Sequence, residues 1–270
     1  MHPLDGPRFK VWGAQINLQD LVAEENAFRE KTKYEIVRAE SNLKTGKDAL
    51  RIRINAEPTE AWGVRIGEIA HDLRSALDGL IWQLSLLTTK TPARNTQFPI
   101  FLRGRTQLRR PSRPGSGRGQ LLPHFETDGR RMISNLRPEH QAVIERLQPY
   151  KRGNGGPRNP LWLLSEMNNA DKHRLLQVVG LTPTAISWMI PRFVEDGEPP
   201  AVSLNSRKVL KDGAKVGMAA HDVDVEFILL PSVSFSEGCA TVKNLPVVST
   251  LGYIAKHVSE IIERFGPEFP

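Results

Sequence analysis

The stretch AWGVRIGEIAHDLRSALDGLIWQLSLL, residues 61–87, decides the fold. Its large apolar residues follow one another at spacings of three and four, which is the period of one helix face. The pattern predicts one long amphipathic helix over about residues 58–88, buried along that face and unbroken in its middle. The face consists of Trp62, Ile66, Ile69, Leu73, Leu77, Leu80, Leu84 and Leu87.

The rest of the chain predicts shorter helices and two groups of strands. Leu50, Ile52 and Ile54 alternate with polar residues, which is typical of a half-buried strand, and the run that begins at Tyr34 predicts its hairpin partner. Residues 175–236 consist of short apolar runs separated by Gly, Pro and Asp, which predicts further strands. Helical spacing of apolar residues recurs over about residues 16–32, 138–148, 160–174 and 247–265.

The order of these elements predicts an α+β fold and a single domain over residues 1–270. The helical core is built around the one long amphipathic helix, with an N-terminal β-hairpin. The strand-rich part, residues 175–236, forms a C-terminal antiparallel sheet, and the final helix closes it.

The positive charge is concentrated in one segment. The chain has a net charge of +7, and residues 101–120 alone contain six arginines without a single acid or lysine. Pro, Gly and Ser interrupt this segment and it has little to bury, so we predict a flexible Arg/Gly/Pro-rich insertion over residues 101–131. Either it is a solvated insertion, or it binds the backbone of RNA or another nucleic acid. The arginines are Arg103, Arg105, Arg109, Arg110, Arg113 and Arg118.

Composition excludes several classes of protein. The single cysteine, Cys239, rules out a disulfide framework and suits a reducing compartment. No apolar stretch is long enough for a membrane helix, and the first ten residues do not have the character of a signal peptide. We therefore expect a cytoplasmic protein without a membrane partner. No phosphate loop or nucleophile elbow occurs, and we predict no cofactor.

Two polar motifs carry the candidate chemistry. On a helical wheel, His71, Asp78 and Trp82 lie on the side of the long helix away from its apolar face, with Arg74 flanking them. Asp78 can accept from Arg74, four residues earlier. A second motif, Asn168-Asn-Ala-Asp-Lys-His-Arg, ends the helix that begins near residue 160. In it Asp171 and Arg174 fall on the apolar side, where charges need partners.

The two motifs have three interpretations. They form an interhelical ion-pair network, with Asp171 beside Arg74 and Arg174 beside Asp78, or they form a site. In the site, His71 or His173 is a general acid/base, and Arg74 or Arg174 binds a phosphate. The third interpretation is a metal site, but no pair of histidines has the i, i+4 spacing of such sites, so we predict none. Its donors would be His71, Asp78, Asp171 and His173.

The motifs also carry two resemblances. The runs IGEIAHDLRSALDGLIWQL (66–84) and NNADKHRLL (168–176) resemble a family of bacterial proteins in which a Leu-Arg-Ser-Ala-Leu-Asp helix precedes an Asp-Lys-His-Arg segment. That family has no established activity. The chain is also loosely similar to HEPN helical domains, many of which are metal-independent RNases built on an Arg followed, after four to six residues, by a His. Arg65 and His71 have this spacing.

Two functions therefore remain open. The HEPN resemblance implies a nucleic-acid-acting protein in which His71 is the acid/base and Arg65 or Arg74 stabilises the phosphate. The alternative is a non-enzymatic binding or scaffold protein whose two motifs only hold helices together. The exposure of His71 distinguishes the two functions. A nuclease needs His71 in an open cleft beside an arginine, whereas a scaffold buries it behind satisfied partners.

Overall fold

The computed structural model describes residues 2–32, 34–42, 46–105, 124–173, 178–189, 203–204, 212–220, 226–235 and 239–269. The fold is α+β, as predicted. The helices in this part of the chain are α1 (Asp5–Lys31), α2 (Ala61–Leu86), α3 (Arg130–Met132), α4 (Pro138–Leu147), α5 (Pro160–His173) and α6 (Val247–Arg264). The strands are β1 (Tyr34–Asn42), β2 (Lys47–Ile54), β3 (Val178–Met189), β4 (Ser203–Leu204), β5 (Lys215–Ala220) and β6 (Glu226–Phe235).

The long helix α2 confirms the interpretation of its sequence. It runs without a break through Asp72–Ser75, and Leu73, Leu77 and Leu80 are fully buried. Leu87 follows the end of the helix and is half-buried, while the other members of the apolar face are buried. Burial of an aliphatic side chain contributes about 1.5–3 kcal/mol, so this face is a major source of stability.

Helix α1 begins eleven residues earlier than the predicted start at residue 16. The early part has its own buried stripe, formed by Leu4, Pro7, Val11 and Ala14. Its opposite side carries large apolar residues that stay exposed, such as Trp12 at 60 %. Because apolar residues lie on both sides of this part of α1, the sequence shows no clear helical period. Pro7 lies in the first turn, where a proline is compatible with a helix.

The strands form two sheets, and this corrects the prediction of a separate C-terminal sheet. The hairpin β1–β2 forms as predicted, but β5 pairs antiparallel with β2, and β4 pairs with β5. The resulting sheet has the order β1-β2-β5-β4, whereas β3 and β6 pair with each other in a two-stranded antiparallel sheet. The predicted C-terminal strands are therefore divided between the two sheets.

The chain divides into two compact units. Unit 1 comprises residues 1–18, 66–174 and 251–270, and unit 2 comprises residues 19–65 and 175–250. Within unit 2, a buried cluster of β2 and β5 residues consists of Leu50, Ile52, Val216 and Ala219. The single domain over 1–270 stays a prediction.

Both flanks of the predicted 101–131 insertion are packed. Phe125 is fully buried and begins a short π-helical segment, Phe125–Gly129, and Phe101 is 9 % exposed. The two flanks are joined by backbone hydrogen bonds, because the amide of Phe125 donates to the carbonyl of Arg103 at 3.0 Å. Residues 106–123 of the predicted insertion lie outside the described residues.

Candidate functional site

A pocket of about 250 Å³ lies within unit 1 and brings together parts of both polar motifs. We call it the α2–α5 pocket. Its wall comes from α2, from the segment after α2, from α3 and from α5. The lining residues are His71, Arg74, Ser75, Asp78, Gln97, Phe98, Ile100, Phe101, Met132, Ser165, Asn168 and Asn169.

Arg74 and Asp78 pair with each other in this wall, as their spacing predicts. Arg74 Nε donates to Asp78 Oδ2 at 3.2 Å, and Nη2 donates to Asp78 Oδ1 at 2.9 Å. The pair also holds the backbone of Phe98: Arg74 Nη2 donates to the Phe98 carbonyl at 2.7 Å, and the Phe98 amide donates to Asp78 Oδ1 at 2.8 Å. We call this arrangement the Phe98 clamp. It satisfies both backbone groups of a residue whose side chain is fully buried.

Gln148 fixes the next part of the wall. Its Oε1 accepts from the amide of Phe101 at 3.0 Å, and its Nε2 donates to the carbonyl of Pro99 at 2.7 Å. Gln148 is fully buried, so these bonds form in an environment where an unpaired backbone group would be costly. Together with the Phe98 clamp they hold residues 98–101 in place, and the pocket is therefore preformed.

His71 is one of two exposed members of the pocket wall, with Asn169. Its Nε2 lies 3.4 Å from the hydroxyl oxygen of Ser75, one turn further along α2. Among the described residues the imidazole has no other hydrogen-bond partner. The ring is therefore accessible to a ligand in the pocket, beside the guanidinium of Arg74.

The HDLR motif sends its side chains in different directions. His71 and Arg74 line the pocket, and Leu73 enters the core. Asp72 turns away from the pocket and accepts from Lys10 Nζ of α1 at 2.7 Å. This arrangement follows from the 100° step between successive helical residues, which separates neighbours in sequence onto different faces.

Several predicted site residues lie elsewhere. Arg65 forms an ion pair with Glu24 at 2.9 Å within unit 2, and Arg105 pairs with Glu126 at 3.1 Å. Arg103 is half-buried, and in the sequence it lies two residues after Phe101 of the pocket wall. The following lie outside the described residues: the side chains of Asp171 and His173, and the residues Arg174, Arg109, Arg110, Arg113 and Arg118. The predicted pairs between the motifs, and the nucleic-acid contacts of these arginines, therefore stay predictions.

The described part of α5 contributes amides that the sequence did not mark as site residues. Asn159 caps the start of α5, because its Oδ1 accepts from the amide of Leu161 at 2.9 Å. Leu164 and Met167 are fully buried and orient the helix. Asn168 and Asn169 then line the pocket, and Asn168 is 6 % exposed. The available signal was two adjacent asparagines in a helix interior, where asparagine is a poor helix former.

The described residues hold neither a metal-ligand cluster nor a membrane-crossing helix. No group of three or more His, Cys, Asp and Glu side chains among them is placed to bind a metal ion. None of the helices in this part of the chain has both the length and the apolar character that crossing a membrane requires.

No protein-family model, curated protein or solved structure matches the chain. The two family resemblances therefore stay expectations from motifs. The functional argument rests on the geometry and chemistry of the α2–α5 pocket.

Proposed function

We propose that this protein binds RNA and cleaves it without a metal ion, with His71 as the general base. The observation that carries the proposal is the exposed imidazole of His71 in a preformed pocket that also contains the guanidinium of Arg74. A histidine can move protons near neutral pH, and an arginine can stabilise a phosphate oxygen. The HEPN resemblance favours the same chemistry.

The reaction uses the 2′-hydroxyl of the RNA as its own nucleophile. His71 removes the 2′-hydroxyl proton, the 2′-oxygen forms a bond to phosphorus, and the bond from phosphorus to the 5′-oxygen breaks. The leaving 5′-oxygen takes a proton from water, and the imidazolium later returns its proton to water. The products are a 2′,3′-cyclic phosphate and a 5′-hydroxyl.

Arg74 is better placed than Arg65 to bind the phosphate. Glu24 occupies the guanidinium of Arg65, whereas Arg74 lies in the pocket wall with His71. The Phe98 clamp uses Nε and Nη2 of Arg74, and Nη1 has no hydrogen-bond partner among the described residues. Nη1 is thus the nitrogen that can donate to a phosphate oxygen.

A degradation assay tests the proposed activity. The full chain is incubated with end-labelled single-stranded RNA in buffer containing a chelator, and the product ends are analysed. We expect cleavage to continue in the chelator and to yield 2′,3′-cyclic phosphate ends. Intact RNA, or cleavage that requires added Mg²⁺, would contradict the proposal.

The arginine-rich segment is expected to supply affinity for the RNA backbone. Replacing Arg109, Arg110, Arg113 and Arg118 with glutamine removes up to four phosphate contacts. Since each contact with single-stranded nucleic acid contributes roughly 0.7 to the salt slope, we expect the slope of log affinity against log salt to become shallower by up to about 3. Fluorescence anisotropy with labelled RNA at several salt concentrations measures this slope.

The matched control for this variant changes the same number of charges elsewhere. It carries glutamine at the exposed positions Arg94, Arg131, Arg152 and Arg158. We expect its salt slope to stay close to that of the wild type. Equal slopes for both variants would place the RNA contacts outside the arginine-rich segment.

A specific observation also favours the alternative, a scaffold protein without catalytic activity. All the hydrogen bonds of the Arg74 and Asp78 side chains among the described residues go to each other and to the backbone of Phe98. An ion pair engaged in this way is sufficient to hold the segment after α2 against the helix, and this structural role requires no catalysis. In that case His71 would be a surface residue, and its replacement would leave every activity unchanged.

A further inference from the structure

The Asn168 side chain is largely buried and has no hydrogen-bond partner in the part of the chain that the structure describes. The residue is 6 % exposed and lines the α2–α5 pocket. It follows Met167 and lies one turn after Leu164, both of which are fully buried. The amide is therefore held at the inner wall of the pocket by a well-packed helix.

The amide atoms of Asn168 are not among the fully enclosed polar atoms that lack a partner, so they stay open to the pocket. Nearly all buried polar side chains in proteins have a hydrogen-bond partner, and asparagine is also unfavourable in a helix interior. An apolar residue would suit a buried helical position better. Departures of this kind mark functional positions, and the missing partner is the one that a ligand in the pocket can supply.

The other polar groups of the pocket narrow the choice of ligand. Guanine is recognised best by an arginine or lysine, and cytosine by a carboxylate. Asp78 is engaged in the Phe98 clamp, and Arg74 keeps only Nη1 outside it, the nitrogen that the proposed function assigns to the phosphate, so neither offers a pair of contacts to a base. The amides remain, and a side-chain amide pairs best with adenine: its N–H donates to N7 and its carbonyl accepts from the N6 amino group.

We propose that Asn168 recognises adenine and makes the α2–α5 pocket an adenylate subsite. The inference rests on the proposed function in that the adenylate is one nucleotide of the RNA bound beside His71. The pocket volume of about 250 Å³ lies below the roughly 300–1,000 Å³ of pockets for drug-sized ligands, which suits a single base rather than several nucleotides.

Binding of free nucleotides tests the inference without any need for cleavage. Isothermal titration calorimetry compares AMP, GMP, CMP and UMP on the full chain. We expect the wild type to bind AMP at least about tenfold more tightly than the others, because a bidentate base contact discriminates to about this extent. Asn168→Asp lacks the donor for N7 and should lose this preference.

The matched control is Asn17→Asp, which makes the same chemical change at a half-buried position of α1 outside the pocket. It should keep the preference for AMP. If Asn168→Asp does not fold, Asn168→Ser makes the same test with a smaller neutral side chain. Equal affinities for the four nucleotides, or an AMP preference that survives both Asn168 variants, would overturn the inference.

The positions of cleavage in RNA distinguish this inference from the proposed function. An adenine subsite predicts cuts next to adenosines, and the Asn168 variants should spread the cuts over all bases. Cleavage that depends on His71 but ignores base identity overturns the adenine subsite alone. AMP binding that depends on Asn168, with no RNA cleavage, supports the subsite and overturns the nuclease.

Discussion

Replacing His71 with alanine is expected to lower the rate of RNA cleavage by about two to four orders of magnitude. General acid/base catalysis by a positioned side chain typically contributes an acceleration of this size. The free energy of unfolding should hardly change, because the side chain is exposed and its nearest polar contact is a 3.4 Å approach to Ser75. Single-turnover cleavage of labelled RNA in a chelator measures the effect.

The control is Glu68→Gln, an exposed position one turn earlier on α2 that does not line the pocket. Its cleavage rate should match that of the wild type. Cleavage at the wild-type rate by His71→Ala would eliminate His71 as the catalytic base.

The sequence predicted the long helix well because one face of it repeats without interruption. Leu73, Leu77 and Leu80 keep the helical period while the other side carries polar groups, so local pattern and tertiary burial agree. The start of α1 was missed for the opposite reason. Trp12 and Phe9 are exposed apolar residues opposite the buried Val11, and two apolar sides leave no visible period.

The division of strands between the two sheets could not be predicted from local patterns. Alternation in β2 shows which side chains are buried, and Leu50 and Ile52 are buried as expected. It does not say which other strand lies alongside. The pairing of β2 with β5 joins residues about 170 positions apart in the chain, as between Leu50 and Gly217, and nothing in the neighbourhood of either strand encodes it.

The site was predictable only in part. The i, i+4 spacing predicted the Arg74–Asp78 pair, but the backbone of Phe98 that completes the clamp belongs to a segment without any recognisable motif. Asn168 was part of a recognised motif, yet only the structure shows that its amide is buried in the pocket wall. A charged residue on the apolar side of a helix already indicates a site from the sequence alone, because a buried charge needs a partner. An uncharged amide indicates a site only when the structure shows that it is buried in a pocket.

Replacing Asp78 with alanine is expected to lower the free energy of unfolding by about 2–3 kcal/mol. The change leaves the Arg74 guanidinium, whose side chain is 15 % exposed, without its counter-charge, and it leaves the Phe98 amide without an acceptor. Breaking a fully buried pair costs about 3–5 kcal/mol, and the smaller value reflects the 34 % exposure of the Asp78 side chain. Urea denaturation measures the change.

Asp72→Ala is the matched control for Asp78→Ala, because it removes an aspartate from the same helix. The partner of Asp72, Lys10, is 51 % exposed, so the loss should stay below about 1 kcal/mol. A loss from Asp78→Ala that is no larger than this would contradict the assignment of the Phe98 clamp as a stabilising contact.

A double-mutant cycle of Arg74→Ala and Asp78→Ala then separates the two roles of the pair. Residues in one hydrogen-bonded network usually show a coupling energy of about 0.5–3 kcal/mol. Strong coupling together with unchanged RNA binding by the folded Arg74→Ala protein would favour the scaffold. RNA binding that weakens in Arg74→Ala but not in Asp78→Ala would favour the nuclease, because only the first change removes the Nη1 donor that the proposed function assigns to a phosphate.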